Sequence, residues 1–337
     1  MNILLTGGTG YIGSHTAVVA SNAGHRVVLL DNLSNSSAVV VERIGKIVNQ
    51  QPMLEIVDIL DTEAVKNVLR RNAIETVIHF AGLKAVGESV SLPLDYFHNN
   101  LSGTISLLQA MSETGVKRLI FSSSATVYGQ PQYLPLDESH PTSVTNPYGR
   151  TKLHIEEILG DLAVSDPSWR IAILRYFNPV GAHDSGLIGE DPNGVPNNLM
   201  PYIARVAAGR LPILNIWGDD YLTLDGTGVR DYIHVMDLAE GHLAALNSLD
   251  NTEKPCDIFN LGNGIGISVL QMVTTFMTVT GCSVPYQISA RRNGDIAKSW
   301  ADVSKARQQL GWSATRNLEE MCTTSWRFAQ VNNSRFR

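Results

Sequence analysis

The chain has 337 residues, of which 44% are apolar and 17% charged, and its formal net charge is −6. That length calls for two domains or one large α/β unit. The composition is that of a globular protein and excludes a disordered one. No dense Lys/Arg stretch is present, which makes nucleic acid and anionic membrane poor partners. No apolar stretch approaches the ~20 residues needed to span a bilayer. Met1 leads at once into the first expected strand, so no leader is expected and the cytoplasm is the expected location.

In chain order, Ile3–Leu5 reads as a buried strand. Gly7, Gly10 and Gly13 follow at a Gly-x-x-Gly-x-x-Gly spacing, then an apolar-periodic helix through Ile12, Thr16, Val19 and Ala20. In such a βα unit the glycines make the tight turn and let backbone approach a pyrophosphate, which sits on free N–H groups at the positive end of the helix. The run Arg26–Leu30 ends at Asp31, 18 residues beyond Gly13. A carboxylate there accepts hydrogen bonds from an adenosine ribose and repels a 2′-phosphate, so NAD is the expected cofactor rather than NADP.

Further short apolar runs at Leu54–Val57, Thr76–Phe80, Leu119–Ser122 and Ile171–Leu174 read as strands buried on both faces. Helical patterns at Ala38–Asn49, Glu63–Arg70, Leu94–Thr114 and Tyr148–Ser165 lie between them. This rhythm predicts an α/β fold with a doubly wound parallel sheet of Rossmann type. Ligands in such sheets bind outside the carboxyl ends of the strands, which singles out Asp58-Ile59, Phe80-Ala81-Gly82, Ser122 to Ser124 and Tyr176-Phe177-Asn178.

The rhythm breaks near Pro179, giving an expected NAD-binding domain over residues 1–178. A smaller, mainly substrate-binding α/β domain is expected over 179–337, with some segments returning to the first. Residues 179–231 are rich in Gly, Pro, Asn and Asp, with a helical piece at Pro201–Ala208; their apolar punctuation argues for order. Helical patterns at Val235–Leu249, Ser268–Val279 and Ser304–Leu310 follow, and the tail Val331–Arg337 is expected to fray. Cys256, Cys282 and Cys322 read as buried or inert thiols, and the histidines offer no metal-ligand spacing.

The strongest catalytic signal is Tyr148-Gly149-Arg150-Thr151-Lys152 after Pro147, which suits a helix start. Tyr148 and Lys152 are i and i+4, so they share one helix face. Bringing a phenol from a pKa of about 10 to ~7 needs roughly 4 kcal/mol of phenolate stabilisation. One cation ~4 Å away at an effective dielectric of ~20 supplies about that much. Lys152 is the expected source, helped by the positive nicotinamide ring. Ser124, at the end of the strand before it, is placed to hydrogen-bond the same reacting oxygen.

With these residues the chain resembles the extended short-chain dehydrogenase/reductases, and within them the UDP-hexose 4-epimerases. The resemblance runs from Gly7 to about Trp312. Its longer stretches are His79 to Ser89, Phe121 to Gly129, Arg175 to Ala182, Pro196 to Tyr202 and Asp225 to Asp237. It implies that Tyr148 takes the proton of the sugar 4-hydroxyl while C4 gives its hydride to NAD. The 4-keto sugar then turns about its pyrophosphate link and takes the hydride back on its other face.

The resemblance also implies a cofactor set of Gly7, Gly10, Tyr11, Ile12, Gly13, Asp31, Asn32, Leu33, Ser34, Asn35, Ser36, Asp58, Ile59, Phe80, Ala81, Gly82, Lys84, Asn99, Ser124, Tyr148, Lys152 and Phe177. The nucleotide is implied to be held by Asn178, Asn198, Leu199, Arg230, Tyr232, Arg292 and Asp295, with Asn215-Ile216-Trp217 bordering the base. Arginine forks match phosphate oxygens. A homodimer built on the Leu94–Thr114 and Tyr148–Ser165 helices is a further expectation from the family.

The related 4,6-dehydratases resemble each other in an Asp-Glu pair directly after the active-site hydroxyl. Ala125-Thr126 stands there and can protonate no leaving group, so dehydration is disfavoured. A sugar dehydrogenase and an NAD-sensing regulator stay open as alternatives. One departure concerns substrate range: epimerases restricted to UDP-glucose and UDP-galactose resemble each other in a tyrosine where this chain has Ser299. Serine removes a ring from the sugar pocket, so a C2 N-acetyl group is expected to fit, unless a neighbour such as Trp217 refills the space.

Overall fold

A computed structural model describes residues 1–332 other than 193, 195, 252, 253 and 293. The first part of the chain alternates strand and helix: β1 (Asn2–Thr6), α1 (Tyr11–Asn22), β2 (Arg26–Asp31), α2 (Val39–Val48), β3 (Met53–Ile56), α3 (Thr62–Arg71) and β4 (Thr76–His79). Then come α4 (Val86–Ser91), α5 (Pro93–Tyr96), a π-helical turn (Phe97–Ser102), α6 (Gly103–Thr114), β5 (Arg118–Ser124), α7 (Pro147–Ser165) and β6 (Arg170–Tyr176). Past them lie β7 (Asn178–Val180), α8 (Leu199–Ala207), β8 (Leu214–Trp217), β9 (Val229–His234), α9 (Val235–Ser248) and β10 (Cys256–Leu261). The chain closes with β11 (Gly266–Ser268), α10 (Val269–Thr280), β12 (Tyr286–Ser289), β13 (Lys298–Ser299) and α11 (Leu318–Val331).

The main sheet has the order β10-β6-β5-β4-β1-β2-β3, parallel throughout. Strand order reverses between β1 and β4, which opens the crevice where such sheets take their ligands. The expected doubly wound α/β fold is the observed one. Period-two alternation distributes each strand between two cores. Ile3 and Leu5 of β1 pack with Ala17, Val18, Val41, Ile44, Leu238 and Ala245. Leu4 faces the other way, with Val65, Leu69, Leu107, Met111, Ile155 and Leu159. Both faces are therefore covered by helices, and that is why the strands read as continuous apolar runs.

β10 joins the free edge of β6, and α9 packs in the same core as α1. The remaining strands form a smaller layer: β9 is flanked by β11 and β13 and also pairs β7, while β8 and β12 pair with each other. Its core gathers Val180, Ile203, Leu214, Ile216, Tyr232, Phe276 and Met321.

Four expectations are corrected. β3 is the outer strand of the sheet and is not buried on both faces: Met53 is 48% and Ile56 65% exposed. The helix expected over Leu94–Thr114 is broken by the π-helical turn, and α4 precedes it. The second half holds strands too short to carry a period, β11 and β13 among them. The tail does not fray from Val331: that residue ends α11, and Asn332 is buried, donating to the Gly186 carbonyl at 3.0 Å. Positions 333–337 of the expected frayed tail lie outside the described residues.

Candidate active site

At the sheet's reversal point the backbone leaves β1 through Gly7, at φ +66°. A Cβ there would stand 2.8 Å from the Ala81 amide nitrogen, and one on Gly13 would stand 2.5 Å from the Gly7 carbonyl oxygen. Both clashes are with backbone that cannot yield, so only glycine brings β1, β4 and α1 this close. Gly10 caps α1 with no side-chain hydrogen bond, and a helix start leaves its first-turn N–H groups without partners inside the helix.

Asp31, at the end of β2, is buried and accepts from Thr9 N at 3.1 Å, Leu33 N at 2.9 Å and Ser36 Oγ at 3.0 Å. It ties the glycine turn to the loop carrying Asn32, Leu33, Ser34, Asn35 and Ser36, where Leu33 has φ +59°. Asn32 donates to Asp58 at 2.9 Å, which joins the ends of β2 and β3. Ile59 is buried against Gly103. Phe80 stacks 4.9 Å from His242, and Phe177 is buried in a fourth apolar cluster with Val127 and Leu136. The Tyr11 hydroxyl donates to the Gly181 carbonyl at 2.7 Å, joining α1 to the segment after β7. This glycine cradle, free helix end and terminal carboxylate fit a dinucleotide.

α7 starts at Pro147, with the Asn146 Oδ1 accepting from Gly149 N at 2.8 Å as its cap. That fixes Tyr148 at the helix mouth, half-buried beside Ser124. Ser124 Oγ in turn accepts from Thr126 N at 3.2 Å and Thr126 Oγ1 at 2.9 Å. Burial pushes the Tyr148 phenol above its ordinary pKa, while Ser124 and the charge of Lys84 pull it down.

Lys152 is the second residue of the expected pair on α7. Lys152 shares the face, but its Nζ donates to the Ser122 carbonyl at 2.6 Å and lies 6.0 Å from the Tyr148 ring centroid. Burial lowers its pKa to about 8, against the raising influence of Glu156. Lys84, whose charge also pulls the phenol's pKa down, donates its Nζ to Glu190 at 2.9 Å.

Sequence reasoning missed Asn100 and Glu190. Asn100 is buried in the π-helical turn next to Asn99; it accepts from Leu83 N at 2.7 Å and donates to Leu83 O at 2.9 Å and Thr151 Oγ1 at 3.2 Å. It clamps the loop carrying Lys84 to α7. Two adjacent asparagines inside an apolar helical pattern were its signal, since π-turns gather at functional sites.

Across the crevice stands the smaller layer. Asn178 on β7 is exposed beside Tyr232 of β9 in register. Arg230 faces Ser299 across β9 and β13, and its Nη1 donates to the Val229 carbonyl at 2.9 Å. Asn198 caps α8 by position, with Leu199 its first residue, and donates to Glu190 at 2.5 Å. Arg292 pairs with Asp295 at 2.9 Å and stands 5.8 Å over the exposed Trp217 ring. Two expected substrate residues have buried side chains. Along β8 the side chains alternate, so Ile216 turns into the core while Asn215 and Trp217 face out. Tyr232 is also a core residue, its phenol pushed up to about 12 by burial.

The profile of the NAD dependent epimerase/dehydratase family matches residues 3–262. The chain belongs to that family. Its cofactor is NAD. Within the family it is similar to the UDP-glucose 4-epimerase of Bacillus subtilis, at 58% identity over 332 residues and 98% of both chains. A solved UDP-glucose-4-epimerase from Stenotrophomonas maltophila, with bound NAD and formylated UDP-arabinopyranose, is 52% identical with a TM-score of 0.97 over 100% of both chains. A UDP-Glc/GlcNAc 4-epimerase from Campylobacter jejuni is 36% identical, with a TM-score of 0.85 over 98% of this chain and 99% of that one. Among the described residues of this family member, no helix is long and apolar enough to cross a membrane.

Proposed function

We propose that the chain interconverts UDP-sugars epimeric at C4, acting on UDP-glucose and UDP-galactose and also on UDP-GlcNAc and UDP-GalNAc. The observation carrying this reading is the Ser124–Tyr148 hydroxyl pair at the mouth of the dinucleotide crevice, with Lys152 on the same helix face and no acidic neighbour at Ala125 or Thr126. Residues 1–178 form the NAD-binding domain and 179–337 mainly the sugar-nucleotide part, with α9 and β10 returned to the first. The glycine turn, Asp31 and the 32–36 loop hold NAD, which when bound supplies a reversible hydride acceptor and a positive charge beside the phenol.

Tyr148 removes the 4-hydroxyl proton, and Ser124 donates a hydrogen bond to the same oxygen as it becomes a carbonyl. Lys152 orients the end of β5 through Ser122 and would help hold the cofactor. Asn178, Asn198, Arg230, Arg292 and Asp295 anchor the nucleotide while the flat 4-keto sugar turns. Tyr148 then returns the proton. Strong anchoring of the diphosphate with few sugar contacts is what rotation requires.

Ser299 supports the wider sugar range. It is buried opposite Arg230, where a small side chain leaves room beside a diphosphate-linked sugar. Trp217 has Arg292 as its partner and is 40% exposed, so it is not spent on filling that space. The similarity to a UDP-Glc/GlcNAc 4-epimerase points the same way. The test offers UDP-GlcNAc and UDP-glucose side by side to wild type and Ser299→Tyr, with products separated by chromatography. Wild type converts both and the variant keeps only UDP-glucose. A wild type confined to UDP-glucose removes the N-acetyl reading and leaves the plain hexose epimerase.

The enzyme works as a cytoplasmic homodimer. Val90, Leu92 and Leu94, exposed at 64%, 48% and 79% beside α7, are the apolar surface such a dimer covers. Leu94→Glu yields monomer by sedimentation, and a monomeric wild type excludes the dimer.

A further inference from the structure

Asp231 is a fully buried carboxylate on β9, the strand to which β7, β11 and β13 of the smaller layer all pair. Its Oδ1 accepts from Asn263 N at 2.7 Å, and its Oδ2 accepts from Gly264 N at 2.9 Å and Ala301 N at 3.1 Å. All three donors are main chain. Burial raises the carboxyl to about 6 while the three N–H groups pull it down, so it is ionised at neutral pH. The fit is close: a Cβ on Gly262 would stand 2.6 Å from Oδ2.

The donors come from segments on either side of β9. Asn263 and Gly264 lie in the turn between β10, the outer strand of the main sheet, and β11. Ala301 follows β13, where Trp300 and Asp302 bond the main chain of Leu136 at 2.9 and 2.7 Å. β11 pairs with β9 over three residues and β13 over two, short ladders for strands of a stable sheet. Where the β13 ladder stops, the Ala301 amide turns to the Asp231 side chain. One buried carboxylate thereby fastens both flanking strands to β9 and ties β9 to the end of the main sheet.

We propose that Asp231 is a positioning residue for nucleotide binding, which sets Arg230 and Ser299 at a fixed spacing against the main sheet without touching the ligand. The inference rests on the reading of Arg230 as a diphosphate anchor. Arg230 is the neighbour of Asp231 along β9, and Ser299 faces Arg230 in register, two residues before Ala301. Side chains alternate along a strand, so the carboxylate stands behind the arginine and does not compete with phosphate for it. Its charge is spent instead on main-chain N–H groups, which it holds strongly. Without that grip the two-residue β13 ladder is left to hold Ser299 opposite Arg230. An anchor that the ligand must first order binds it less tightly.

The test is calorimetric binding of UDP to the NAD-loaded enzyme, which requires no turnover. Asp231→Asn keeps the shape but sets an amide NH2 against at least one main-chain donor, whichever way it is turned. UDP affinity falls about tenfold. The NAD that purifies with the variant stays at the wild-type amount, because the glycine turn and Asp31 belong to the main sheet. Gly264→Ala, strained at φ +78°, shifts one donor and leaves the carboxylate, so it tests the same contact if Asp231→Asn does not fold; it weakens UDP by a smaller factor. Asp237→Asn is the control for lost stability alone, since that buried carboxylate on α9 holds Thr315 and Arg316. It lowers the unfolding midpoint and leaves UDP affinity unchanged. Unchanged UDP affinity in either Asp231→Asn or Gly264→Ala, or an equal loss in Asp237→Asn, overturns the proposal. A wild type that binds no UDP overturns the reading of Arg230 and the proposal with it.

Discussion

Lys152 Nζ donates to the main-chain carbonyl of Ser122 at 2.6 Å, so the lysine one turn along from Tyr148 serves the end of β5. The i,i+4 spacing set the shared helix face, but the buried carbonyl claimed the ammonium. An unpaired buried carbonyl would be costly, and a charged donor satisfies it well. Lys152 therefore organises the strand end while standing 6.0 Å from the Tyr148 ring centroid.

That burial has a pH signature. With its folded pKa lowered to about 8 from the ordinary lysine value of about 10.4, Lys152 binds its proton less tightly in the folded than in the unfolded state. Its contribution to stability is therefore present at high pH and lost as pH falls from about 10 through 8. The difference in unfolding free energy between wild type and Lys152→Met shifts in favour of wild type by about 3 kcal/mol as pH rises from about 8 to 10. Chemical denaturation at several pH values checks it, and parallel curves count against the buried-lysine account.

Tyr148→Phe removes one hydroxyl and leaves the ring. Turnover falls by at least about 100-fold, in the range for losing a general base. The unfolding midpoint and the amount of NAD that purifies with the protein stay near wild type. Equal loss of cofactor and activity would make Tyr148 a binding residue instead.

Glu156 and Arg175 are both 4% exposed and paired at 2.6 Å, with Ser123 also donating to Glu156. Burial works against the guanidinium charge, and this partner holds it in place. Glu156→Ala strands that charge and costs about 3–5 kcal/mol by denaturant unfolding. A loss below 1 kcal/mol would mean that water reaches the pair.

Gly13→Ala forces a Cβ to within 2.5 Å of the Gly7 oxygen and 2.9 Å of the Gly8 Cα, both backbone. The turn must open, at a cost of about 1–3 kcal/mol. The purified variant carries little NAD, measured by release on denaturation. Cofactor content equal to wild type would show that the turn does not shape the site.

Much of this was readable from residues. Strands buried on both faces leave unbroken apolar runs, and glycines forced by backbone contact leave a fixed spacing, so the main sheet and its cofactor crevice could be placed. Asp31 lay where the spacing put it. The second layer was less legible because β11 and β13 hold three and two residues, too few for any period. The resemblance implies ligand roles for Ile216 and Tyr232, and strand alternation and the packing around β9 bury both side chains. Glu190 could not be found at all: its partners Lys84 and Asn198 are 106 and 8 residues away, and only the folded crevice unites them.

The most direct measurement incubates the purified protein with UDP-galactose and no added NAD, following the products by chromatography and the reduced cofactor by absorbance. The account expects UDP-glucose to accumulate to equilibrium, with no net reduced cofactor and with the original hydrogen kept at C4. An oxidised sugar formed together with an equal amount of reduced cofactor, or no conversion at all, would contradict it.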